Sequence, residues 1–199
     1  MLTPKPTEPQ PHARPEDATR VIPMASLEPQ KWANGRGWTR EIHREPGGGA
    51  SVPVTWRLSL ADIEETGPFS SLPGMDRHLM SAAPVTLRLT VDGVPHDVRY
   101  TQVVSFAGDS EVATTAVEGR ARALNLMTRH GIRGGLDLIH GDTRLPVAET
   151  TATALVVLDG TVSLDGRRLD RFDTILPGGD GALLDLRAAT VARVRVMTP

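Results

Sequence analysis

Asn34-Gly35-Arg36-Gly37-Trp38-Thr39-Arg40-Glu41-Ile42 packs an amide, two guanidiniums, a hydroxyl and a carboxylate into one short stretch. A second turn-rich segment, Gly67-Pro68-Phe69-Ser70-Ser71-Leu72-Pro73-Gly74-Met75-Asp76-Arg77, ends in an acid–base pair, and Asn125 and Arg129 flank Met127 after an apolar run. A guanidinium is a planar fork that grips a carboxylate through two parallel hydrogen bonds. Arg40, Arg57 and Arg77 are therefore the candidates for holding a carboxylate. Asn34, Ser70 and Asn125 could read an amide or formyl group, Glu41 and Asp76 could orient the arginines, and Arg129 completes the candidate ligand-binding set. The same residues allow an enzyme acting on a small polar metabolite, an isomerase, lyase or hydrolase without metal. Glu41 or Asp76 would then be the general base and an arginine would stabilise developing negative charge. Both acids have an arginine beside them in sequence, which holds a carboxylate ionised, and that favours binding over catalysis. No catalytic residue is assigned. If the blocks are surface loops instead, the chain is a scaffold with solvated charge.

The composition removes several other chemistries. There is no cysteine, so disulfides, thiolate metal sites and Cys nucleophiles are excluded. The six histidines, His12, His43, His78, His96, His130 and His140, form no His-x-His pair that could place two imidazoles on one face of a strand. The expectation is a site without metal or cofactor. No Gly-x-Ser-x-Gly elbow or phosphate-binding Gly-x-x-x-x-Gly-Lys loop occurs. With 22 basic against 24 acidic residues the net charge is −2, which lacks the electrostatic footprint of a nucleic-acid binder. Only Lys5 and Lys31 among the basic residues are lysines. The N-terminus is polar and the longest apolar run, Ala154 to Leu158, is far short of a membrane span. A cytoplasmic protein, monomer or homodimer, with a small-molecule carboxylate as partner is expected, with no role for nucleic acid or membrane.

The elements that must position these residues read as strands. Residues 1–20 are proline-rich and almost without apolar side chains, and are expected to be a disordered tail. Val54, Trp56, Leu58 and Leu60 alternate strictly with Thr55, Arg57 and Ser59, and Val85, Leu87, Leu89 and Val91 alternate with Thr86, Arg88 and Thr90, as half-buried antiparallel strands do. Arg57 and Ser59 thus share the face opposite Trp56, which points either into a polar interior or to solvent. Asp-Gly pairs at 92–93, 159–160 and 165–166 predict type I′ hairpins. Gly47-Gly48-Gly49 reads as a connector. Helix is expected only as a turn or two around Asp76 to Met80. Val91-Asp92-Gly93 followed by Gly108-Asp109 has a counterpart in Leu164-Asp165-Gly166 followed by Gly179-Asp180. The fold class is all-β with few short helices, a duplicated jelly roll in which residues 21–199 form one unit of two halves, about 21–130 and 131–199, with interleaved strands.

The polar blocks resemble those of the HutD/Ves family. Its W-x-N-G-G-G-x-T-R-E-I stretch stands here as Trp32 to Ile42, and W-R-[LI]-S-[IL]-A as Trp56 to Ala61. G-P-F-S-x-[FL]-P-G-x-D-R matches Gly67 to Arg77, F-x-G-D matches Phe106 to Asp109, and N-[VL]-M-x-R matches Asn125 to Arg129. These five ordered blocks cover about residues 30–130. Arg36 replaces the middle glycine of the first block, so a loop that needs φ > 0 there would have to differ, and His130 stands where a second arginine often follows Arg129. The resemblance implies a metal-free, cupin-like β-barrel of two parts (a bicupin). It also implies a link to histidine-utilisation genes or stress, no firmly attached enzymatic activity, and binding of an intermediate such as N-formylglutamate or formate that moderates pathway expression.

Overall fold

The computed structural model describes residues 18–46, 54–117 and 119–197. The sixteen strands, in chain order, are β1 Arg20–Ile22, β2 Gln30–Lys31, β3 Gly37–Pro46, β4 Val54–Ile63, β5 Gly67–Pro68, β6 Met75–Ser81, β7 Leu87–Val91, β8 Val94–Val98, β9 Val103–Ala107, β10 Val112–Val117, β11 Ala121–Arg129, β12 Arg133–Pro146, β13 Ala154–Leu164, β14 Arg167–Leu169, β15 Thr174–Leu176 and β16 Leu183–Met197. Two 3₁₀ turns, Met24–Ser26 and Val147–Thr150, are the only helical elements among the described residues. None of the described helices is long and apolar enough to cross a membrane.

All described strand pairs are antiparallel, in three sheets. The first runs β1-β15-β13-β16-β12, with β14 added to β13. The second, central sheet runs β2-β3-β4-β11-β6-β9, and the third runs β5-β10-β7-β8. Strands from both halves of the chain share the first sheet, because β1 pairs with β15. The sequence suggests a closed barrel, but among the described residues no sheet closes: each of the three ends in strands with one partner only, and β1, β2 and β5 are too short to extend a ladder.

The central sheet is the middle layer. Trp56, Leu58 and Leu60 on β4 and Leu124 and Leu126 on β11 point to one side, where they pack on Ala154, Val156, Leu158, Ala192 and Val194 of the first sheet. Each fully buried leucine there contributes about 1.5–3 kcal/mol. On the other side Ala61, Ile63, Leu79, Ala121 and Ala123 pack on Leu87, Leu89, Val98 and Val112. A third cluster, with Leu155, Val157, Val162, Leu184, Leu186 and Val191, covers the other side of the first sheet with aliphatic side chains.

The Asp-Gly pairs divide by context. Asp92-Gly93 and Asp165-Gly166 have φ > 0 at both residues, as a type I′ turn requires. The two turns are also tied alike: Asp92 Oδ1 accepts from the Glu111 N–H at 2.8 Å and Asp165 Oδ1 from the Leu183 N–H at 2.9 Å. Asp159-Gly160 is no hairpin. It lies inside β13 at two register shifts against β16, where an extra residue flips the inward parity from Leu155 and Val157 to Val162 and Leu164. Nor does Asp76 to Met80 form a helical turn: it lies within β6, paired on both sides with β11 and β9. Residues 1–17 of the expected tail, and the Gly47-Gly48-Gly49 connector, lie outside the described residues. Thr19 donates its N–H and hydroxyl to Asp180 at 2.8 and 2.6 Å, which anchors the chain just before β1.

Candidate ligand-binding cavity

Along the face of the central sheet that meets the third sheet, each strand changes character. β4 runs from Ile63 and Ala61 to Ser59 and Arg57, β11 from Ala121 and Ala123 to Asn125 and Met127, and β6 from Leu79 to Arg77. The ladder sets these side by side: Ser59 pairs with Asn125, and Met127 lies between Arg57 and Arg77. The apolar ends build core. The polar ends, together with the β2–β3 turn and the segment after β5, enclose a cavity of about 410 Å³ lined by Asn34, Arg57, Ser59, Ser70, Arg77 and Asn125, with Trp32, Phe69 and Met127 as apolar wall. None of the described lining residues is Asp, Glu, His or Cys.

Arg77 dominates the electrostatics. It is 7% exposed, and among the described residues no carboxylate lies within ion-pair reach of it. Its guanidinium is held between the rings of Phe69 and Phe106, at 5.2 and 5.1 Å, and donates from Nη1 to the Ser70 carbonyl at 3.3 Å, while Nε has no partner. Burial first, and then the nearby Arg57 charge, lower its pKa to about 10, so it remains a cation near neutrality. A buried cation without a counter-ion is an electrostatic demand for an anion. Arg57 is anchored from behind, its Nε donating to Glu41 Oε2 at 2.6 Å. Asn125, 5% exposed, donates Nδ2 to the Ala123 carbonyl at 3.3 Å and leaves Oδ1 without a partner.

The segment over Arg77 is fixed by backbone contact. Leu72 N–H donates to the Gly108 carbonyl at 2.6 Å and Gly108 N–H to the Met75 carbonyl at 2.7 Å. A Cβ at Gly108 would sit 2.1 Å from the Leu72 oxygen. This explains Phe106 and Gly108 together: one ring covers the guanidinium, and the glycine lets the covering segment approach.

Of the nine candidate residues, five line the cavity: Asn34, Arg57, Ser70, Arg77 and Asn125. Glu41 stands behind them as the partner of Arg57. Three are elsewhere. Arg40 points to the opposite face of β3, where it and Arg122 share Asp62 at 2.6 and 2.5 Å. Asp76 does not orient Arg77, since strand neighbours point to opposite faces; it lies 3.4 Å from His130 Nε2 in an exposed pair. Arg129 is absent from the cavity lining. Lys31, Thr39, Ser59 and Met127 line the cavity without having been singled out. The signal for Ser59 was its place two residues from Arg57, and for Met127 its place two from Asn125. Arg36 carries no strain, because Gly35 takes the positive φ of the turn at 75°. Among the described residues no group of three or more His, Cys, Asp or Glu side chains is placed to hold a metal.

These layers are those of cupin-like β proteins. A cupin 2 conserved barrel domain protein from Leptotrichia buccalis matches with TM-score 0.57 over 90% of this chain and 96% of that chain, at 11% identity, a likeness of fold alone. The HutD family model matches residues 24–196, and the chain belongs to the HutD family. It is 34% identical over 161 residues to an uncharacterized 21.2 kDa Pseudomonas putida protein in the hutC 3′ region, covering 78% of this chain and 84% of that protein. It is 33% identical over 154 residues to Protein Ves of Citrobacter koseri, covering 76% of this chain and 75% of that protein. The structure of HutD from Pseudomonas fluorescens SBW25 (formate condition) matches with TM-score 0.73 and 28% identity over 91% of this chain and 100% of that chain.

Proposed function

We propose that this chain is a binding protein for a small carboxylate, of the class of formylated amino acids such as N-formylglutamate, with a regulatory role in histidine utilisation. The observation that carries the reading is Arg77, a buried cation with no carboxylate partner among the described residues, in a cavity that also presents Arg57. Two guanidiniums suit two carboxylates or one bidentate anion, and the unpaired Asn125 Oδ1 suits an N–H donor such as a formamide. A free amino group would add a positive charge next to two guanidiniums, which favours an N-acylated ligand over the parent amino acid. Glu41, the carboxylate behind the described lining, is engaged with Arg57, which favours holding a ligand over general-base chemistry. The regulatory role and the tie to histidine utilisation are supported by family membership and by the hutC-region relative, and a cytoplasmic setting goes with them. The paired architecture of the Asp92-Gly93 and Asp165-Gly166 turns supports two duplicated jelly-roll halves. The aliphatic side chains that cover the other side of the first sheet then leave the N-terminal half as the ligand-binding one.

A thermal-shift titration with N-formylglutamate, glutamate, urocanate, histidine and formate, each with and without EDTA, tests the reading. A ligand at a hundredfold excess over its Kd stabilises the folded state by about 2.7 kcal/mol. A saturable rise with N-formylglutamate, unchanged by EDTA and larger than with glutamate, is expected. No rise with any of the five would remove this ligand class.

A further inference from the structure

The cavity mouth is built from two segments distant in sequence, and one residue outside the cavity ties them together through its backbone and its side chain. The first segment is the β2–β3 turn, which supplies Trp32 and Asn34. The second runs from the end of β4 through β5 and supplies Pro68, Phe69 and Ser70. Their rings meet across the opening, with Trp32 and Phe69 edge to face at 6.2 Å. Arg36 stands where the two converge and lines no part of the cavity. Its N–H donates to Asn34 Oδ1 at 3.1 Å, its carbonyl accepts from the Glu64 N–H at 3.2 Å, and its Nη1 donates to the Thr66 carbonyl at 2.7 Å. The guanidinium lies flat against Gly67: a Cβ there would sit 2.2 Å from Nη1. One residue thus fixes the Asn34 side chain and both ends of the 64–66 bend that leads into Phe69 and Ser70. Ser70 in turn supplies the carbonyl that Arg77 uses.

We infer that Arg36 is a positioning residue, a strap that makes the two rims of the cavity one rigid clamp and so slows the escape of a bound anion. The inference rests on the cavity being a ligand site, but the strap is also visible in the unliganded protein. Loss of the Arg36–Thr66 bond frees the 66–70 stretch, while the backbone bond from the Glu64 N–H to the Arg36 carbonyl still holds the start of the bend to the β2–β3 turn. Opening lets ligand leave without passing Trp32 and Phe69, so the effect falls on the dissociation rate more than on the association rate.

Hydrogen exchange of the unliganded protein, followed in the unaltered chain and in Arg36→Ala, Arg36→Lys and Gly67→Ala, tests the strap itself. One lost hydrogen bond should speed exchange across residues 66–70 on the order of tenfold in Arg36→Ala, with the Glu64 N–H and the β4–β11 ladder unchanged. Arg36→Lys, which retains a donor for the Thr66 carbonyl, should restore part of the protection. Gly67→Ala should also speed exchange of residues 66–70, because its Cβ meets the guanidinium and alanine is strained at the φ of 155° that Gly67 holds. Stopped-flow release of N-formylglutamate, read by tryptophan fluorescence, should then be several-fold faster in Arg36→Ala at nearly unchanged melting temperature. Equal exchange of residues 66–70 in Arg36→Ala and the unaltered chain overturns the strap. Faster exchange with unchanged release overturns its role in holding ligand. If N-formylglutamate does not bind the unaltered chain, the functional reading fails and the exchange result alone decides the strap.

Discussion

Replacing Arg77 with methionine separates the demands of folding from those of the ligand. The guanidinium is 7% exposed and unpaired with any described carboxylate, and its pKa is lowered to about 10 by burial and by Arg57. That fall corresponds to about 3 kcal/mol spent on keeping the cation buried, at about 1.4 kcal/mol per pH unit. The contacts it makes offset part of this. Two cation–π contacts return about 1–2 kcal/mol together, and one long hydrogen bond to Ser70 about 1 kcal/mol. Methionine fills the same slot between Phe69 and Phe106 and makes favourable sulfur–ring contacts. The balance for Arg77→Met is a folded state unchanged or more stable by up to about 1 kcal/mol, which in a chain of this size is a rise of up to about 4 °C. Binding should move the other way. Losing a charge-assisted contact of about 1.5–3 kcal/mol weakens the Kd for N-formylglutamate roughly 10- to 150-fold. Differential scanning calorimetry of the unliganded protein measures the first quantity and titration calorimetry the second. A fall in melting temperature greater than about 6 °C, equivalent to about 2 kcal/mol or more, would show that the arginine has a structural partner and would refute the reasoning.

Three further outcomes follow from the same geometry. Arg57→Gln should weaken ligand binding at least about tenfold, whereas Arg40→Gln, on the opposite face with Asp62 and Arg122, should leave the Kd unchanged in the same titration. Gly108→Ala should destabilise the fold by about 2 kcal/mol or more in urea melts, because its Cβ meets the Leu72 and Met75 carbonyls, and should abolish binding with it. His78, hydrogen-bonded to Ser105 at 2.8 Å, has its pKa lowered mainly by burial, with Asp76 pulling the other way. The unfolded chain therefore takes up that proton first, and stability is lost as pH falls below about 6.5. His78→Gln should flatten this acid limb in melting curves recorded from pH 7.5 to 5.

The faces of β4 are legible in the sequence, because alternation has a period of two and the apolar set Trp56, Leu58, Leu60 leaves Arg57 and Ser59 on one side. Asp92-Gly93 and Asp165-Gly166 are legible because a type I′ turn depends on two residues only. What the sequence hides is which member of an adjacent acid–arginine pair faces inward. On a strand the two must separate, so Glu41 and Arg77 go to the cavity side while Arg40 and Asp76 go to the other. Reading Asp76 to Met80 as helix concealed that rule at the residue where it matters most. Asp159-Gly160 shows the converse: the same dipeptide makes a bulge when the strand's partner continues past it. The cover of Arg77 is not local at all. Phe69, in the segment after β5, and Phe106, on β9, meet around Arg77 only because Gly108 admits the Leu72 backbone, a contact that no spacing along the chain announces.

The most direct test of the central claim is isothermal titration of the purified chain with N-formylglutamate, alongside the Arg57→Gln/Arg77→Met double variant. Saturable binding with one molecule per chain, absent in the double variant while its fold persists by circular dichroism, is the predicted result. Binding of equal strength in both proteins, or none in the unaltered chain, would contradict the assignment of the Arg57–Arg77 cavity to a small carboxylate.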